Sequence, residues 1–484
     1  MMSSTLHRLM QRVAEFSSGR GTWFLVGGFL RDQLLARPFA TYNIDVAVPR
    51  DAIAHATALA EVLGATVVPL DETFGTARLV VSVDHERIEL DLAEFRGPTI
   101  EDDLRHRDFT VNAMAVRLTD WVANPEHPAP LIDPLHGQAA LASQRLIPCW
   151  PGTFHDDALR ILRAARFVAQ LGFSLDDTAL PFMREAASRV TDVAGERIRD
   201  ELMLICATPA AATALTLLSD LRILDTLFPE LALGRDVPQG GFHHLDVLHH
   251  ELETVRQADR FLADFAEFVE PLRAPLASYC ETSLVEGRSR YALIKWAGLF
   301  HDVGKPAKRT IEPDGEIWFI GHEHAGAELM PGVADRLKFS NRESHLLTQL
   351  VRHHLRPGFL SREPVLTRRA IYRFYKDLGD DGPACLLLWW ADRMATRGPK
   401  SHLDHIDLQR RFVEEMLDAY FFKAEEVVKP PRFIDGNAIM TTFGLKPGPL
   451  IGQLLNQVEE AQAEGRLHTY EEAVRLIRQQ LQHS

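Results

Sequence analysis

TWFLVGGFLRDQLLARPFATYNIDVAV (22–48) is the stretch whose reading decides the fold. An apolar run ends in two glycines, a helix-like piece follows, and NIDVAV (43–48) resumes a strand. Short β-branched runs broken by such punctuation are the pattern of a small mixed α/β domain. Gly27 and Gly28 lie after a strand and before a helix, where bare backbone amides approach a phosphate and Arg31 adds positive charge. The two-residue period of a strand puts Asn43 and Asp45 on one face, and IELDLAEFR (88–96) presents Asp91 from a second strand. Carboxylates converging beside a phosphate-holding turn suit phosphoryl transfer assisted by Mg²⁺, a hard ion that takes oxygen ligands.

Working outward, TARLVVSVD and the helix-like DAIAHATALAEVL complete this head, and from about residue 155 the pattern turns to helical spacing. DALRILRAARFVAQLGF, GERIRDELMLIC and ALTLLSDLRIL all carry it. The expected fold class is therefore α+β: an N-terminal mixed α/β head over 1–150, then an all-helical remainder. Gly/Pro punctuation at 236–242 and 396–400 divides that remainder into 151–235, 236–400 and 401–484.

The chain has 484 residues, 46% of them hydrophobic and 25% charged, which excludes disorder and membrane classes. Lys plus Arg number 53 against 67 Asp plus Glu, for a formal charge of −14, so any nucleic acid must meet a local basic groove rather than a uniformly basic surface. The four cysteines are far apart and show no CxxC spacing, which implies a reducing cytoplasm. MMSSTLHRLMQRVAEF reads as an amphipathic helix without a signal-peptide core, and neither a membrane nor a protein partner is implied.

With EDDLRHRDFTVNAMA (101–115), IDPLHG (132–137) and FHDDALRILRAARFVAQLGF (154–173) added to GG-x-x-RD and the x-I-D strand, the sequence resembles the class II tRNA nucleotidyltransferase and poly(A) polymerase family. The resemblance runs over nearly the whole chain. It implies a nucleotidyltransferase head whose Mg²⁺ carboxylates fall on Asn43, Asp45 and Asp91. It puts nucleotide contacts on Gly27, Gly28, Arg31, Asp32, Arg107, Asp108 and Asn112, and base reading on Asp157 and Arg160 with Arg163 and Arg166 assisting. Asn43 departs from the family's D-x-D, offering one neutral carbonyl where a carboxylate brings two oxygens and a charge. Spacing by three is expected to set residues 157, 160 and 163 on one helical face, so that an acceptor and donors meet the edges that cytosine and adenine share.

Histidines crowd HHLDVLHHELETV (243–255), LFHDVGKP (299–306), GHEHAG (321–326) and VRHHLRP (351–357). Imidazole with carboxylate suits divalent transition metals such as Mn²⁺, Ni²⁺, Fe²⁺ or Zn²⁺. Closed by WWADRMATRG (389–398), the order resembles the HD-superfamily phosphohydrolases. That implies one metal on His250, His301, Asp302 and Asp392, and a second completed by His322 and His354. Adjacent histidines on a helix point about 100° apart, so one of each pair faces the metal; Lys305 reads either as a point charge that steadies a phosphate or, the commoner case, as a surface lysine.

The strip 352–376 has seven Lys/Arg against Glu363, with Tyr372, Phe374 and Tyr375 interleaved. It reads either as a platform for phosphates and stacked bases or as a helix with solvated cations and core aromatics. The segment 433–481 resembles the family's body and tail, where the acceptor arm of tRNA is cradled. The leading expectation is addition of CCA, or part of it, to tRNA 3′ ends from CTP and ATP, beside an HD phosphohydrolase. Asn43 favours an alternative in which the HD site alone works; poly(A) polymerase-like adenylyl transfer and a non-enzymatic RNA-binding role are the others.

Overall fold

The computed structural model describes residues 4–39, 42–73, 75–84, 86–125, 130–285, 287–401 and 405–482. They fall into two compact units, 1–193 and 194–484.

The first unit is built on a six-stranded sheet of order β3-β4-β5-β2-β1-β6. Its strands are β1 (Phe24–Val26), β2 (Tyr42–Val48), β3 (Thr66–Asp71), β4 (Thr76–Val83), β5 (Glu86–Glu94) and β6 (Ala115–Arg117). Only β2 and β5 run parallel; the other neighbours are antiparallel. Ile44 and Val46 of β2, Leu79 of β4, and Ile88, Leu90 and Leu92 of β5 are fully buried. Alternation therefore turns Asn43, Asp45, Arg78, Glu89 and Asp91 to the other face. The helix Ala52–Leu63 packs on β4 and β5, and Gly27–Leu34 packs on β2. The mixed head and helical remainder agree with the sequence reading. β3 gives no alternation to read because it is a mostly exposed edge strand interrupted by Pro69.

The second unit is helical apart from short two-stranded ribbons. The helices Val247–Phe261, Arg290–Phe300, Asn341–His353 and Gly382–Ala395 pack together, and His322–Arg336 lies against Asn341–His353. A separate apolar cluster, centred on Ile439, Val458, Ala473 and Ile477, holds the last three helices.

In the basic strip, Tyr372, Phe374 and Tyr375 are 4%, 0% and 2% exposed, so none is available to stack on a base. Helix Arg368–Leu378 instead meets Pro449–Ala463 along a polar seam. Arg373 donates to both oxygens of Glu460 at 2.8 and 3.0 Å, Arg369 reaches Glu460 at 2.8 Å, and Lys376 pairs with Glu459 at 2.8 Å.

No helix among the described residues is long and apolar enough to cross a membrane.

Candidate active site and metal centre

In the head, parallel register sets Asp45 beside Asp91 and Asn43 beside Glu89. Antiparallel register sets Arg78 opposite Asp91. Arg78 grips both Asp91 oxygens at 2.8 Å and reaches Glu89 at 2.8 Å, so Asp91 is engaged by a guanidinium. Sequence reasoning missed Arg78 and Glu89. The alternation of TARLVVSVD was the available signal, since it places Arg78 on the polar face.

Asp45 lies against the glycine turn. Gly27 has φ +75°, and a Cβ built on it would meet Asp45 Oδ2 at 2.3 Å. Only glycine combines this left-handed backbone with so close a carboxylate. The Gly28 N–H donates to Asp45; burial pushes the Asp45 carboxyl up, and Arg107 and Arg163 pull it back. Those two cations thus face the carboxylate. Asn43 itself is exposed.

The remaining head residues form one network. Arg31 is 4% exposed, chelates Asp32 at 2.9 and 2.8 Å and donates to Asn112 at 2.8 Å. Asn112 donates to Asp108, which accepts from Arg163 at 2.9 and 2.7 Å. Arg107 is held by Asp103 at 3.1 and 3.0 Å. Arg31, Arg163 and Arg166 lie 5.1, 5.5 and 4.4 Å from the Phe167 ring centroid. Asp108 and Asn112, 6% and 5% exposed, orient these arginines from inside.

One geometric expectation is corrected. Asp157 has extended backbone (φ −149°, ψ 106°) in the break between Thr153–Asp156 and Leu159–Leu171. It therefore shares no helical face with Arg160 and Arg163, and its Oδ1 accepts from the Leu159 N–H at 3.0 Å. Arg160 is 7% exposed and donates to Thr153 Oγ1 at 2.7 Å and to the His106 carbonyl at 2.9 Å.

In the second unit the HD residues converge. Donor atoms of His250, His301 and Asp302 gather within 4.8 Å of one another, as do those of Asp302, His322 and His354, with Asp302 common to both groups. Asp392 accepts from His250 Nε2 at 2.9 Å and lies 3.7 Å from His301 Nε2. His249 is turned away and bonded to Asp246, leaving His250 as the inward member of its pair; His354, not His353, is the fully buried one of the other.

Three of the rings are anchored alike: Nδ1 of His301, His322 and His354 bonds the carbonyls of Gly298, Phe319 and Val351 at 2.9, 2.7 and 2.7 Å. With each Nδ1–H donated to a carbonyl, Nε2 carries a lone pair directed inward. His322 and His354 then face each other Nε2 to Nε2 at 3.3 Å, an arrangement that a shared cation satisfies. The donor set fits a divalent transition metal.

Lys305 is buried rather than at the surface; its Nζ lies 2.5 Å from Asp302 Oδ2 and 2.7 Å from Gln239 Oε1. Gln239 and His243 line an open cleft of about 490 Å³. The His243 ring centroid is 4.5 Å from that of His250, and sequence reasoning had not singled His243 out.

Comparison with known proteins finds a head domain and an HD domain in this chain. The family model described as the poly A polymerase head domain matches residues 23–147, that of the probable RNA and SrmB-binding site of polymerase A matches 172–233, and the HD domain matches 276–396. The A-adding tRNA nucleotidyltransferase of Deinococcus radiodurans is 36% identical over 456 residues, covering 93% of each chain. The CC-adding tRNA nucleotidyltransferase of Thermus thermophilus is 33% identical over 465 residues, covering 93% of this chain and 92% of its own. Among solved structures, a CCA-adding enzyme in its apo form aligns over 97% of this chain and 92% of its own, with TM-score 0.64 at 20% identity. The Thermotoga maritima CCA-adding enzyme complexed with tRNA aligns over 99% and 96%, with TM-score 0.63 at 19% identity. Identities above 30% along nearly the full length of both partners, with the head match spanning the Gly27 turn and both carboxylate strands, make this chain a member of the class II tRNA nucleotidyltransferase and poly(A) polymerase family.

Proposed function

We propose that this protein extends tRNA 3′ ends with C, A or both from CTP and ATP, and that its second unit holds a transition-metal phosphohydrolase centre. The observation that carries the first part is Asp45 locked against the Gly27 turn, in register with Asp91 and facing Arg107 and Arg163. The 3′-hydroxyl of tRNA attacks the α-phosphate of the nucleotide and pyrophosphate leaves. The Gly27–Gly28 turn, Arg31 and Arg107 hold the triphosphate, with Asp32 and Asn112 keeping Arg31 in place, Asp103 holding Arg107 and Asp108 holding Arg163.

Asp45 and Asp91 would hold Mg²⁺, which neutralises the triphosphate and favours ionisation of the attacking hydroxyl. Mg²⁺ keeps waters and takes substrate oxygens, so one or two carboxylates suffice, and Asn43 contributes at most a carbonyl. Asp157 and Arg160 read the base, with Arg163 and Arg166 behind them; Thr153 and the His106 carbonyl fix the Arg160 guanidinium and take part of its donor set, so the base is met by the N–H groups that remain.

The second part rests on the facing Nε2 atoms of His322 and His354 and the shared Asp302. Mn²⁺, Ni²⁺, Fe²⁺ or Zn²⁺ bound there would polarise a phosphoryl group and supply an activated water. His250, His301, Asp302 and Asp392 would hold one ion, and His322 and His354 would complete the second through Asp302. Four free cysteines accord with work in the cytoplasm.

The test is incubation with tRNAs ending at the discriminator base, at C and at CC, each with labelled CTP or ATP and Mg²⁺. Extension of any of the three supports the reading, and its pattern names the added bases. Extension of none, with hydrolysis of a 2′,3′-cyclic phosphate intact, would establish that the second unit alone works.

A further inference from the structure

Trp150 is 40% exposed in the loop just ahead of the short helix Thr153–Asp156. An exposed tryptophan by itself is ordinary; this one is held in place. Its benzo edge fills the space that a side chain at 152 would take, since a Cβ built on Gly152 would fall 2.1 Å from Cη2 and 2.2 Å from Cζ3. Gly152 has φ −83°, a backbone that any residue adopts, so the ring and not the chain conformation calls for glycine there. At its other end the Trp150 Nε1–H donates to Asp156 Oδ2 at 3.2 Å. The indole is thus fixed at both ends while much of its surface stays open to solvent, and a fixed aromatic surface loses little further freedom when something docks on it.

Its position says what docks there. The Cys149 N–H donates to the Asp108 carbonyl at 3.1 Å, which sets Trp150 beside the segment that carries Arg107. Asp156 Oδ2, the acceptor of the indole N–H, lies 3.9 Å from Arg160 Nη1. The indole and the base-reading guanidinium therefore meet on one carboxylate oxygen, close enough for a single base to use both. Hydrogen bonds from Arg160 and Asp157 engage the edges of a base and leave its faces uncovered. The neighbouring rings of Phe109, Phe154 and Phe167 are 0%, 0% and 2% exposed and offer no surface to those faces. We propose that the Trp150 indole is a stacking surface for the base of the incoming nucleotide, a contact that adds affinity for any base while Arg160 and Asp157 choose among them.

This rests on the nucleotidyltransferase reading of the head. The experiment takes the full-length protein with Trp150→Ala and Trp150→Phe. Equilibrium affinities for CTP, ATP and inorganic tripolyphosphate are measured without tRNA, and the affinity for tRNA separately. Trp150→Ala should hold each nucleotide that wild type binds on the order of 5–100-fold more weakly, with ATP losing more than CTP because adenine has the larger face. Tripolyphosphate has no base and should bind as it does to wild type. Trp150→Phe keeps a ring and should recover most of the lost affinity. Unchanged nucleotide affinity in Trp150→Ala overturns the proposal, and a weakening confined to tRNA does so by making Trp150 an RNA contact. A parallel loss of tripolyphosphate overturns it because the indole then shapes the triphosphate pocket, and equal losses in the two variants overturn it by assigning the effect to the bond with Asp156. Wild type that binds neither nucleotide would remove the reading of the head along with the proposal, whereas tRNA extension by wild type beside an unaffected Trp150→Ala would leave that reading standing.

Discussion

Replacing Gly27 with alanine tests the head most sharply. The added Cβ would fall 2.3 Å from Asp45 Oδ2, 3.1 Å from its Cγ and 3.3 Å from its Cβ, at φ +75°. A left-handed backbone at a residue with a Cβ costs about 1–2 kcal/mol. Ordinary contact needs about 1 Å more separation from the oxygen, and a displacement of about 1 Å at a reacting centre lowers rates on the order of 100-fold. Gly27→Ala should therefore lower kcat/KM for nucleotide incorporation on the order of 100-fold, with a fall in stability of about 1–2 kcal/mol. Gly64 is the control: it has the same left-handed backbone, φ +69°, but an added Cβ would meet nothing within 4 Å, so Gly64→Ala should lose comparable stability and stay within a few-fold of wild type in rate. The assay is single-turnover extension of tRNA with labelled nucleotide, with Mn²⁺ binding by the second unit as an internal check of folding. Wild-type extension by Gly27→Ala, or equal losses of rate in the two variants, would refute the argument that Gly27 exists to admit Asp45.

Asn43→Asp should lower the Mg²⁺ needed for incorporation, since it adds a carboxylate beside Asp45 and Glu89; equal activity at limiting Mg²⁺ would show the amide to be sufficient. Arg160→Ala should relax discrimination against GTP and UTP, and a uniform loss for all four nucleotides would leave it as a staple for the Thr153 and His106 carbonyls. Paired His301→Ala and Asp302→Ala changes should abolish bound transition metal and cyclic-phosphate hydrolysis while tRNA extension persists; metal retained by the folded double mutant would sink the ligand assignment. Burial opposes a charged Asp108, but Arg163 and Asn112 more than offset it and hold the carboxyl well below its usual range. Its stabilisation is thus full above the ordinary value of about 4 and is lost as pH falls further, so Asp108→Asn should flatten the acid limb of thermal stability against pH; parallel wild-type and mutant curves would contradict this.

What the sequence disclosed follows from the range over which each feature is encoded. Periodicity is local, so β2, β4 and β5 and the helices of both units were legible, and the motif residues came with them. Pairings between strands are not local. That Arg78 would meet Asp91 depends on the β4–β5 register, which no single strand specifies. The break after Asp156 was hidden because DDALRILRAAR continues helical spacing through it; only the backbone at Asp157 departs. Lys305 beside His301 and Asp302 gave no sign of its burial, since Gln239, its other partner, lies 66 residues earlier. In the strip 352–376 the composition of a nucleic-acid platform and that of an amphipathic helix coincide, and packing chose the second.

The seam between Arg368–Leu378 and Pro449–Ala463 makes ionic strength a structural variable for this protein. Its guanidinium and ammonium groups are about one-third to one-half exposed, so the Arg369, Arg373 and Lys376 pairs are each worth roughly 0.2–1 kcal/mol and weaken as the screening length contracts. The tail beyond them keeps its own apolar cluster, which salt does not loosen. Added salt thus acts on the attachment of an intact module as well as on phosphate contacts, and the slope of RNA affinity against salt concentration sums two equilibria. Substituting Glu459 and Glu460 with glutamine separates them, because the seam then loses its salt response while the counterions released from RNA stay the same.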